Sequence, residues 1–331
     1  MKSEPRSFDA SAIARGKCMI GWLTGKSPFV WIDSWLGVAL ARASASIGRT
    51  VYPVCPGPVF VRHATHAPPL SWFCVPSDLV ASGGLVAALE RLLEVTPVTD
   101  TDKRCRNLMR RVLDSDALHV RHQIAELPDA WHESGGGKRI VLIDERETSH
   151  TDVCTRAALR QRNFAAMADA ACAVHPDAAL WVLRSADAGA GNWLSTKTQL
   201  HGNARVLEVA HSLRDVLRHA DAVHVVGASE GMAALLAGVP VHVFGTPYYA
   251  GWGLTQDHTA MPERRARPSI DALFDAVFLQ LARYLDPARG TQGTLETALD
   301  CIELQHAVAD RYRDLGRVAG VRSSNGGSGL T

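Results

Sequence analysis

Apolar and polar positions along the chain follow two periods. Short β-branched runs predict buried strands, and longer Ala- and Leu-rich segments with one apolar stripe predict helices. In the second half of the chain strands and helices alternate regularly, which predicts a doubly wound parallel sheet. Its predicted strands cover residues 139–143, 179–183, 205–209, 223–226 and 239–244, and its predicted helices cover residues 155–173, 213–218 and 231–236.

The first half shows the same alternation, and a glycine run separates the two halves. In this half, predicted strands cover residues 19–23, 50–54, 59–61 and 70–75, and predicted helices cover residues 31–47, 85–93 and 103–127. Two further helices are predicted near the end of the chain, at residues 270–284 and 295–312. The segment ESGGGK at 133–138 contains three consecutive glycines and no apolar residue, so we place a domain boundary there. The predicted units are residues 1–134, residues 138–285, a helical segment at 286–322 and a disordered tail at 323–331.

The stretch 221–267 holds the densest candidate chemistry. Its first part predicts a strand, a tight turn, a helix and a second parallel strand. Ser229 is a typical N-cap residue, and Glu230 and Gly231 open the helix. Backbone N–H groups and the helix dipole attract anions at such a helix start, so a phosphate site is one interpretation. The other interpretation is an ordinary strand–helix–strand unit that binds nothing.

An aromatic loop follows the second of these strands. It carries Tyr248, Tyr249 and Trp252, interleaved with Gly251 and Gly253. The loop lies beyond the carboxyl end of a predicted parallel strand, where open α/β sheets bind ligands, and its glycines let the backbone approach a bound group. The rings either stack on a sugar or base face or fill a junction between domains.

Composition narrows the class of partner. The chain has 35 basic and 34 acidic residues and a net charge of +1, which gives no reason to expect nucleic acid. Seven cysteines without CxxC spacing fit reduced thiols rather than a disulfide framework or a zinc site. No apolar run approaches the ~20 residues of a membrane span, and no signal peptide is visible. We therefore expect a cytoplasmic protein without a metal, and peripheral membrane attachment stays open.

The motifs most specific for one protein family are YYAGWGLTQD and, after it, ERRARPSIDALFDAVF and RYLDPARG. With SEGMAALLAGVPVHVFG upstream, this order resembles the capsule polysaccharide biosynthesis family that includes KpsC, whose modules carry PFYAGWGLTDD, a paired arginine, a helix and a Tyr-x-Asp-Pro segment. Weaker similarity reaches IVLIDE at 140–145 and PPLSWFCVP at 68–76, so the resemblance covers about one whole module. It implies an α/β, GT-B-like fold with two Rossmann-type lobes and a cleft between them, the acceptor side in residues 1–134 and the nucleotide-sugar side in residues 138–285.

The resemblance also implies a chemistry. Members of the family are β-Kdo transferases that use CMP-Kdo, with retention at the anomeric carbon, to build the lipid-linked primer of bacterial capsules. This chain would then move Kdo, or a related ulosonic acid, from a CMP-sugar to a glycolipid or oligosaccharide acceptor, with no cofactor besides that donor. Capsule-assembly proteins and the inner membrane surface are the further partners that the resemblance implies.

Site residues follow from the matched motifs. Asp144 matches the Asp of the family's Asp-Gln and is the expected nucleophile, because retention by two displacements needs a carboxylate, and Glu145 lies beside it. A turn-capping aspartate is the structural alternative. The expected substrate-binding residues are Arg62 and Ser71 in the first lobe, Ser229, Glu230 and Gly231 at the helix start, Tyr248, Tyr249, Gly251, Trp252 and Gly253 in the aromatic loop, and Arg264 and Arg265 after it. Within this set, Ser229 and Gly231 would meet the CMP phosphate, Tyr249 and Trp252 would line the sugar or base, and the two arginines would hold an anion unless they are solvated surface residues.

Several family positions are substituted. GPVFVRH at 57–63 stands where the family has Glu-Asp-Gly-Phe-Leu-Arg-Ser, Ala233 replaces a Glu, and Ser185-Ala186 replaces a His-Pro. The residues that could replace a lost acid are His63, His66, Glu145 and His201. The second hypothesis is therefore a non-catalytic pseudo-glycosyltransferase subunit of a capsule or polysaccharide assembly or export system. A nucleotide-sugar epimerase is disfavoured because no Gly-x-Gly-x-x-Gly follows an early strand.

Overall fold

The structure is a computed structural model. It describes residues 29–32, 35–48, 51–59, 70–75, 84–95, 103–119, 125–133, 137–149, 157–186, 189–200, 204–261 and 264–318. The strands are, in chain order, β1 Phe29–Trp31, β2 Tyr52–Pro56, β3 Ser71–Cys74, β4 Arg139–Asp144, β5 Arg146–Ser149, β6 Ala179–Arg184, β7 Gly189–Trp193, β8 Arg205–Leu207, β9 Ala222–Val225, β10 Val241–Val243, β11 Gln256–Asp257, β12 Ala282–Asp286 and β13 Thr291–Gly293. The helices are α1 Trp35–Ser46, α2 Leu85–Val95, α3 Lys103–Asp114, α4 Asp129–His132, α5 Ala157–Val174, α6 Leu213–Leu217, α7 Glu230–Leu236, α8 Ile270–Phe274 and α9 Leu295–Val318, together with a 3₁₀ turn at Leu194–Lys197 and a π-helical segment at Asp275–Leu281.

The second half of the chain forms a parallel sheet with the strand order β11-β10-β9-β4-β6-β8. In chain order this is the doubly wound arrangement of Rossmann folds, which the alternation of strands and helices predicted. The central strand β4 is apolar on both faces, and Ile140 to Ile143 are fully buried, as expected of a parallel strand covered on both sides. The chain leaves β4 toward β6 on one side and returns at β9 on the other. The boundary between β4 and β9 is thus the point where such sheets bind ligands.

The first half contributes a smaller, mixed sheet with the order β1-β2-β3-β12-β13. Only the β1–β2 pair is parallel among the strands that the structure describes in this sheet. Apolar side chains of both halves join one core, in which Leu70 and Phe73 of the first sheet belong to the same cluster as Val141 and Val223 of the second. The molecule therefore has the predicted α/β architecture, with its two sheets connected through packed helices.

Two predicted helices end earlier than expected. The helix predicted over 103–127 ends at Asp114, because Asp116 adopts a left-handed conformation (φ 50°) and its carboxylate accepts hydrogen bonds from the Ser212 hydroxyl and the Arg214 N–H at the start of α6. The helix predicted over 270–284 ends at Leu281, where the chain turns into β12 and pairs with β3 of the first sheet. Tertiary pairing overrides the helical periodicity in both places.

Other boundaries also differ from the sequence-based prediction. Trp31 lies in β1 rather than in a helix, and Pro56 ends β2 where a turn was expected. The predicted strand at 19–23 lies outside the described residues. The last helix, α9, is longer than predicted and runs from Leu295 to Val318. Among the described helices, none combines the length and the apolar character that crossing a bilayer requires.

Candidate functional site

The candidate site lies at the carboxyl edge of the parallel sheet, at the switch point between β4 and β9. Strand β4 ends in Asp144 and is followed by Glu145, and strand β9 is followed by the loop Val226–Ala228 and the first turn of α7. Parallel strands bring these ends to one edge although Glu145 and the loop residues that contact it are 81 to 83 positions apart in the chain, as the contacts described below show. The sequence analysis predicted this location.

Asp144 is fully buried and is held by a short 3₁₀ turn. The Ser195 backbone N–H donates to one carboxylate oxygen at 3.0 Å, and the Ser195 hydroxyl donates to the other at 2.6 Å. Burial raises the pKa of the Asp144 carboxyl, while the Ser195 hydrogen bonds and the nearby Arg184 guanidinium act in the opposite direction. The carboxylate is therefore positioned and oriented, and Ser195 covers it. Its role as the nucleophile stays a prediction.

Glu145 occupies the loop that was expected to bind phosphate. One of its carboxylate oxygens accepts hydrogen bonds from the backbone N–H groups of Val226, Gly227 and Ala228, at 3.1, 2.7 and 3.0 Å. The other oxygen accepts from the buried Arg160 guanidinium at 2.5 Å. The chain's own carboxylate thus fills the anion-binding concavity that backbone N–H groups form here. In this structure Glu145 acts as an internal counter-ion of the loop, rather than as a group facing a reactant.

The start of α7 is also closed by internal contacts. A Cβ on Gly231 would lie 2.2 Å from the Tyr249 hydroxyl, so this glycine allows close packing of the aromatic loop. Ser229 is buried and makes no N-cap hydrogen bond through its side chain. Both residues are buried by protein groups, and a contact of Ser229 and Gly231 with a phosphate stays a prediction.

Glu230 forms the centre of a buried polar network that the sequence analysis missed. Its carboxylate accepts from the Ser185 hydroxyl, the Ala186 N–H and the His119 ring at 2.8 to 3.0 Å. The other His119 ring nitrogen lies 3.1 Å from the Val209 carbonyl oxygen. Both ring nitrogens of His119 therefore lie within hydrogen-bond distance of an oxygen atom. Nothing in the sequence pairs His119 with Glu230, which lies 111 positions away, and only the fold brings them together.

The aromatic loop packs inward. Tyr249 is fully buried and donates its hydroxyl to the Ala228 carbonyl at 2.6 Å, and Trp252 is 1% exposed and donates its indole N–H to the Tyr248 carbonyl at 2.7 Å. Both rings therefore lie in the core, and a role in lining a sugar or base stays a prediction for them. Of the two alternatives left open by the sequence, the structure shows the packing role.

The glycines of this loop serve its turns. Gly251 and Gly253 have φ angles of 80° and 84°, a left-handed conformation that favours glycine. A Cβ on Gly251 would lie 3.0 Å from the Arg264 side chain, and one on Gly253 would lie 3.1 Å from the Arg267 side chain. The arginines thus approach the loop where a ligand was expected.

Arg264 is itself part of the loop's packing. Its guanidinium lies 4.7 Å from the centre of the Trp252 ring and donates to the carbonyls of Tyr248 and Pro247, and burial lowers its pKa. Arg264 is buried, and its expected anion-binding role stays a prediction. Arg265 is exposed, and its backbone N–H donates to Glu90 of α2 at 2.7 Å.

Two residues of the first lobe, Ser71 and Arg62, were expected to bind substrate, and the structure describes only Ser71. Ser71 is buried in β3, where its hydroxyl donates to the Val59 carbonyl at 2.7 Å and accepts from the Val59 N–H at 2.9 Å. It therefore ties two backbone segments together. Arg62, like His63, His66 and His201, lies outside the described residues.

A small two-stranded arm beside Asp144 carries charged residues that the sequence analysis did not select. Strands β5 and β7 pair antiparallel, with Arg146 opposite Trp193. The Arg146 guanidinium lies 3.7 Å from the centre of the Trp193 ring, and the Arg184 guanidinium lies 5.3 Å from it. Arg184 is the register partner of Asp144 on the neighbouring strand β6.

Among the described residues, no group of His, Cys, Asp and Glu side chains is arranged to hold a metal ion.

Fold and site together define an α/β protein with a Rossmann-order sheet and a charged, carboxylate-bearing edge at its switch point. Two solved domains of KpsC from Thermosulfurimonas dismutans have similar folds. Its β-Kdo 2,4 transferase aligns with a TM-score of 0.65 and 23% identity over 83% of this chain and 86% of that one. Its β-Kdo 2,7 transferase aligns with a TM-score of 0.53 and 21% identity, over 87% and 89%.

Sequence relatives lead to the same family. Residues 138–285 match the family described as "Capsule polysaccharide biosynthesis protein". The capsule polysaccharide modification protein LipA of Neisseria meningitidis serogroup B is 33% identical over 158 residues, and the lipopolysaccharide-processing protein LpsZ of Rhizobium meliloti is 34% identical over 100 residues. The matches cover 45% and 30% of this chain but only 22% and 23% of the relatives, so the chain spans less than a quarter of their length. The resemblance inferred from the motifs is confirmed.

Proposed function

We propose that this protein is a retaining glycosyltransferase of capsule polysaccharide biosynthesis. It transfers Kdo, or a related ulosonic acid, from a CMP-sugar donor to a glycolipid or oligosaccharide acceptor, in the cytoplasm or at the inner membrane surface. The observation that carries the proposal is the placement of Asp144 at the carboxyl end of β4, at the switch point of a Rossmann-order sheet and inside the segment that matches the capsule family.

The proposed reaction has two displacements. The Asp144 carboxylate attacks the anomeric carbon, the bond between that carbon and the phosphate oxygen of CMP breaks, and CMP leaves as an anion. The acceptor hydroxyl then attacks the same carbon and loses its proton to water, and the bond between that carbon and the Asp144 carboxylate breaks, so the configuration is retained. Because Ser195 covers Asp144, the first step requires the Ser195 hydroxyl to give up its 2.6 Å hydrogen bond.

A second candidate function is a non-catalytic subunit of a capsule assembly system. The observation that favours it is the closure of the site: Glu145 fills the loop of backbone N–H groups, and Ser195 covers Asp144. A protein that has lost catalysis keeps such internal contacts without penalty, whereas a transferase has to open them.

A transfer assay separates the two functions. The protein is incubated with CMP-Kdo generated in situ and a Kdo-primed acceptor, and the product is followed by mass. We expect transfer in the wild type and loss of about 10³-fold or more in Asp144→Asn, because a neutral amide does not attack. Asp177→Asn serves as the control. Asp177 is exposed in the turn that precedes β6, whereas Asp144 lies next to the carboxyl end of β6.

Two other results would contradict different parts of the proposal. Absence of transfer together with no thermal stabilisation by CMP would support the non-catalytic subunit. Full activity in Asp144→Asn would leave transfer standing and remove Asp144 as the nucleophile.

A further inference from the structure

The β5–β7 arm places two pairs of residues next to each other. In the first pair Ser195 donates two hydrogen bonds to Asp144. In the second pair Arg146 lies opposite Trp193. A backbone hydrogen bond of 2.9 Å from Leu194 to the Glu145 carbonyl links the two pairs. Arg146 follows Asp144 by two residues, and Trp193 precedes Ser195 by two residues, so the two pairs are neighbours along the same two segments of chain.

The Arg146 guanidinium contacts an aromatic ring and a backbone carbonyl. Its guanidinium stacks on the Trp193 ring at 3.7 Å and donates to the Gly191 carbonyl at 3.0 Å. It forms no salt bridge with any carboxylate in the described part of the chain. Arg184, on the same ring, differs because Glu208 neutralises it through contacts of 2.8 Å. A guanidinium held flat on an aromatic face keeps the outer edge of its plane available for a carboxylate, which it binds through two parallel hydrogen bonds.

The chemistry of an ulosonic acid donor requires such a cation. In these sugars the carbon that reacts also bears the sugar's own carboxylate. An aspartate that approaches this carbon meets a second negative charge one bond away, and the repulsion grows in a site shielded from water. A positive group close to both charges removes this barrier. For a neutral sugar no such group is needed.

We propose that Arg146, stacked on Trp193, binds the carboxylate of the sugar donor and thereby selects ulosonic acids over neutral sugars. Arg184 lies beside Asp144 in the sheet but is paired with Glu208, so Arg146 is the residue assigned to the sugar carboxylate. The assignment rests on the proposed function, since it takes Asp144 as the attacking group. It adds a substrate-binding residue and a reason for donor selectivity.

The competing explanation is that Arg146 only clamps the arm. Arg205 provides a matched comparison, because its guanidinium also lies over a tryptophan, at 5.4 Å from the Trp181 ring, and also donates to a carbonyl, that of Ala130 at 3.0 Å. Arg205 lies on the edge strand β8, which β6 separates from β4. A clamp function predicts similar effects for both arginines, and a carboxylate site predicts an effect for Arg146 alone.

The test measures equilibrium binding of the sodium salt of Kdo, of its neutral methyl ester and of CMP, by tryptophan fluorescence or ligand-observed NMR. We expect the wild type and Arg205→Gln to bind the salt at least about tenfold more tightly than the ester, which is the effect of one charge-assisted hydrogen-bond pair. Arg146→Gln should lose that preference and keep its affinity for CMP. Arg146→Lys, which keeps the charge without the planar fork, should retain part of it and covers the case in which the glutamine variant folds poorly.

The outcomes separate this inference from the proposed function. Equal affinity of the wild type for salt and ester, or an unchanged preference in both Arg146 variants, would overturn the carboxylate site even if transfer is observed. Loss of the preference in Arg146→Gln without any transfer by the wild type would support the carboxylate site and count against the transferase.

Discussion

At the scale of single residues, the charged groups of the site are held mainly by one another. The Glu145 carboxylate is hydrogen-bonded to Arg160 and to the backbone of the loop after β9. The Glu230 carboxylate is hydrogen-bonded to His119, Ser185 and Ala186. Both carboxylates are buried, and a buried charge is tolerated only where partners replace its water. Their first effect is therefore to fix the loop and the helix start around Asp144.

Removing the Glu230 carboxylate should destabilise the fold strongly. In Glu230→Ala the donors of His119, Ser185 and Ala186 lose their acceptor inside the protein, and we expect the free energy of unfolding to fall by about 3–5 kcal/mol. Glu133→Ala, on an exposed side chain, should change it by less than about 0.5 kcal/mol. Urea unfolding curves of the two variants measure the difference. A change below about 1 kcal/mol in Glu230→Ala would show that the network contributes little.

A histidine cluster should make stability depend on pH. His224 is buried, stacks on His242 at 4.3 Å, and its ring nitrogens have no hydrogen-bond partner among the described residues. Burial, with His242, His175 and His258 nearby, lowers the pKa of His224 from 6.5 to about 3. Between these values the unfolded chain binds a proton that the folded protein does not, so stability falls as the pH drops below 6.5.

We expect His224 to contribute a loss of about 1.4 kcal/mol in the free energy of unfolding between about pH 7.5 and about pH 5.5. His242, whose pKa is also lowered by burial, adds to this loss. Denaturant titrations at both pH values measure it, and His224→Leu should reduce the loss by that amount. An identical pH dependence in this variant would show that the His224 ring is protonated within the fold or reaches solvent.

At the scale of elements, the start of α7 and the aromatic loop form one packed unit. Gly231 leaves space for the Tyr249 ring, whose hydroxyl closes the loop after β9 through the Ala228 carbonyl. The sequence presents these as two separate ligand-binding features. The structure shows that they pack against each other.

A methyl group at Gly231 should disrupt this unit. In Gly231→Ala the new Cβ would lie 2.2 Å from the Tyr249 hydroxyl, and we expect a loss of about 1–3 kcal/mol, the usual effect of overpacking a core. Gly227→Ala is the control, because the nearest atoms to its Cβ lie at 3.8 Å. Adding Tyr249→Phe to Gly231→Ala removes the closest atom and should recover part of the loss. Thermal unfolding of the four proteins tests this, and equal melting temperatures for the two glycine variants would contradict it.

At the scale of the whole molecule, the two sheets are connected by a common core and by shared elements. Strand β12 lies late in the chain but pairs with β3 of the first sheet, and α9 packs Leu299 into the cluster that both sheets share. Helix α9 is also joined to α3 by the salt bridges of Arg111 with Asp300 and Glu303. The halves should therefore unfold together.

A single substitution in α9 should affect both halves. We expect Leu299→Ala to lower the free energy of unfolding by about 2–5 kcal/mol in one cooperative transition, because it removes a fully buried side chain. Leu304→Ala, on the same helix and 66% exposed, should have little effect. Coincident unfolding curves by tryptophan fluorescence and circular dichroism would confirm cooperativity. Two separate transitions, with only one shifted in Leu299→Ala, would show that the halves unfold independently.

The sequence by itself determined the parallel sheet, the position of Asp144 at the end of β4 and the similarity to the capsule family, because buried strands and short motifs are local signals. The tertiary structure decided what fills the site. The contacts of Glu145 with the loop after β9, of His119 with Glu230 and of Arg146 with Trp193 join residues 47 to 111 positions apart, and local periodicity carries no information about such pairs. It also decided that Tyr249 and Trp252 face inward, since an aromatic side chain gains as much from burial in a core as from stacking on a ligand.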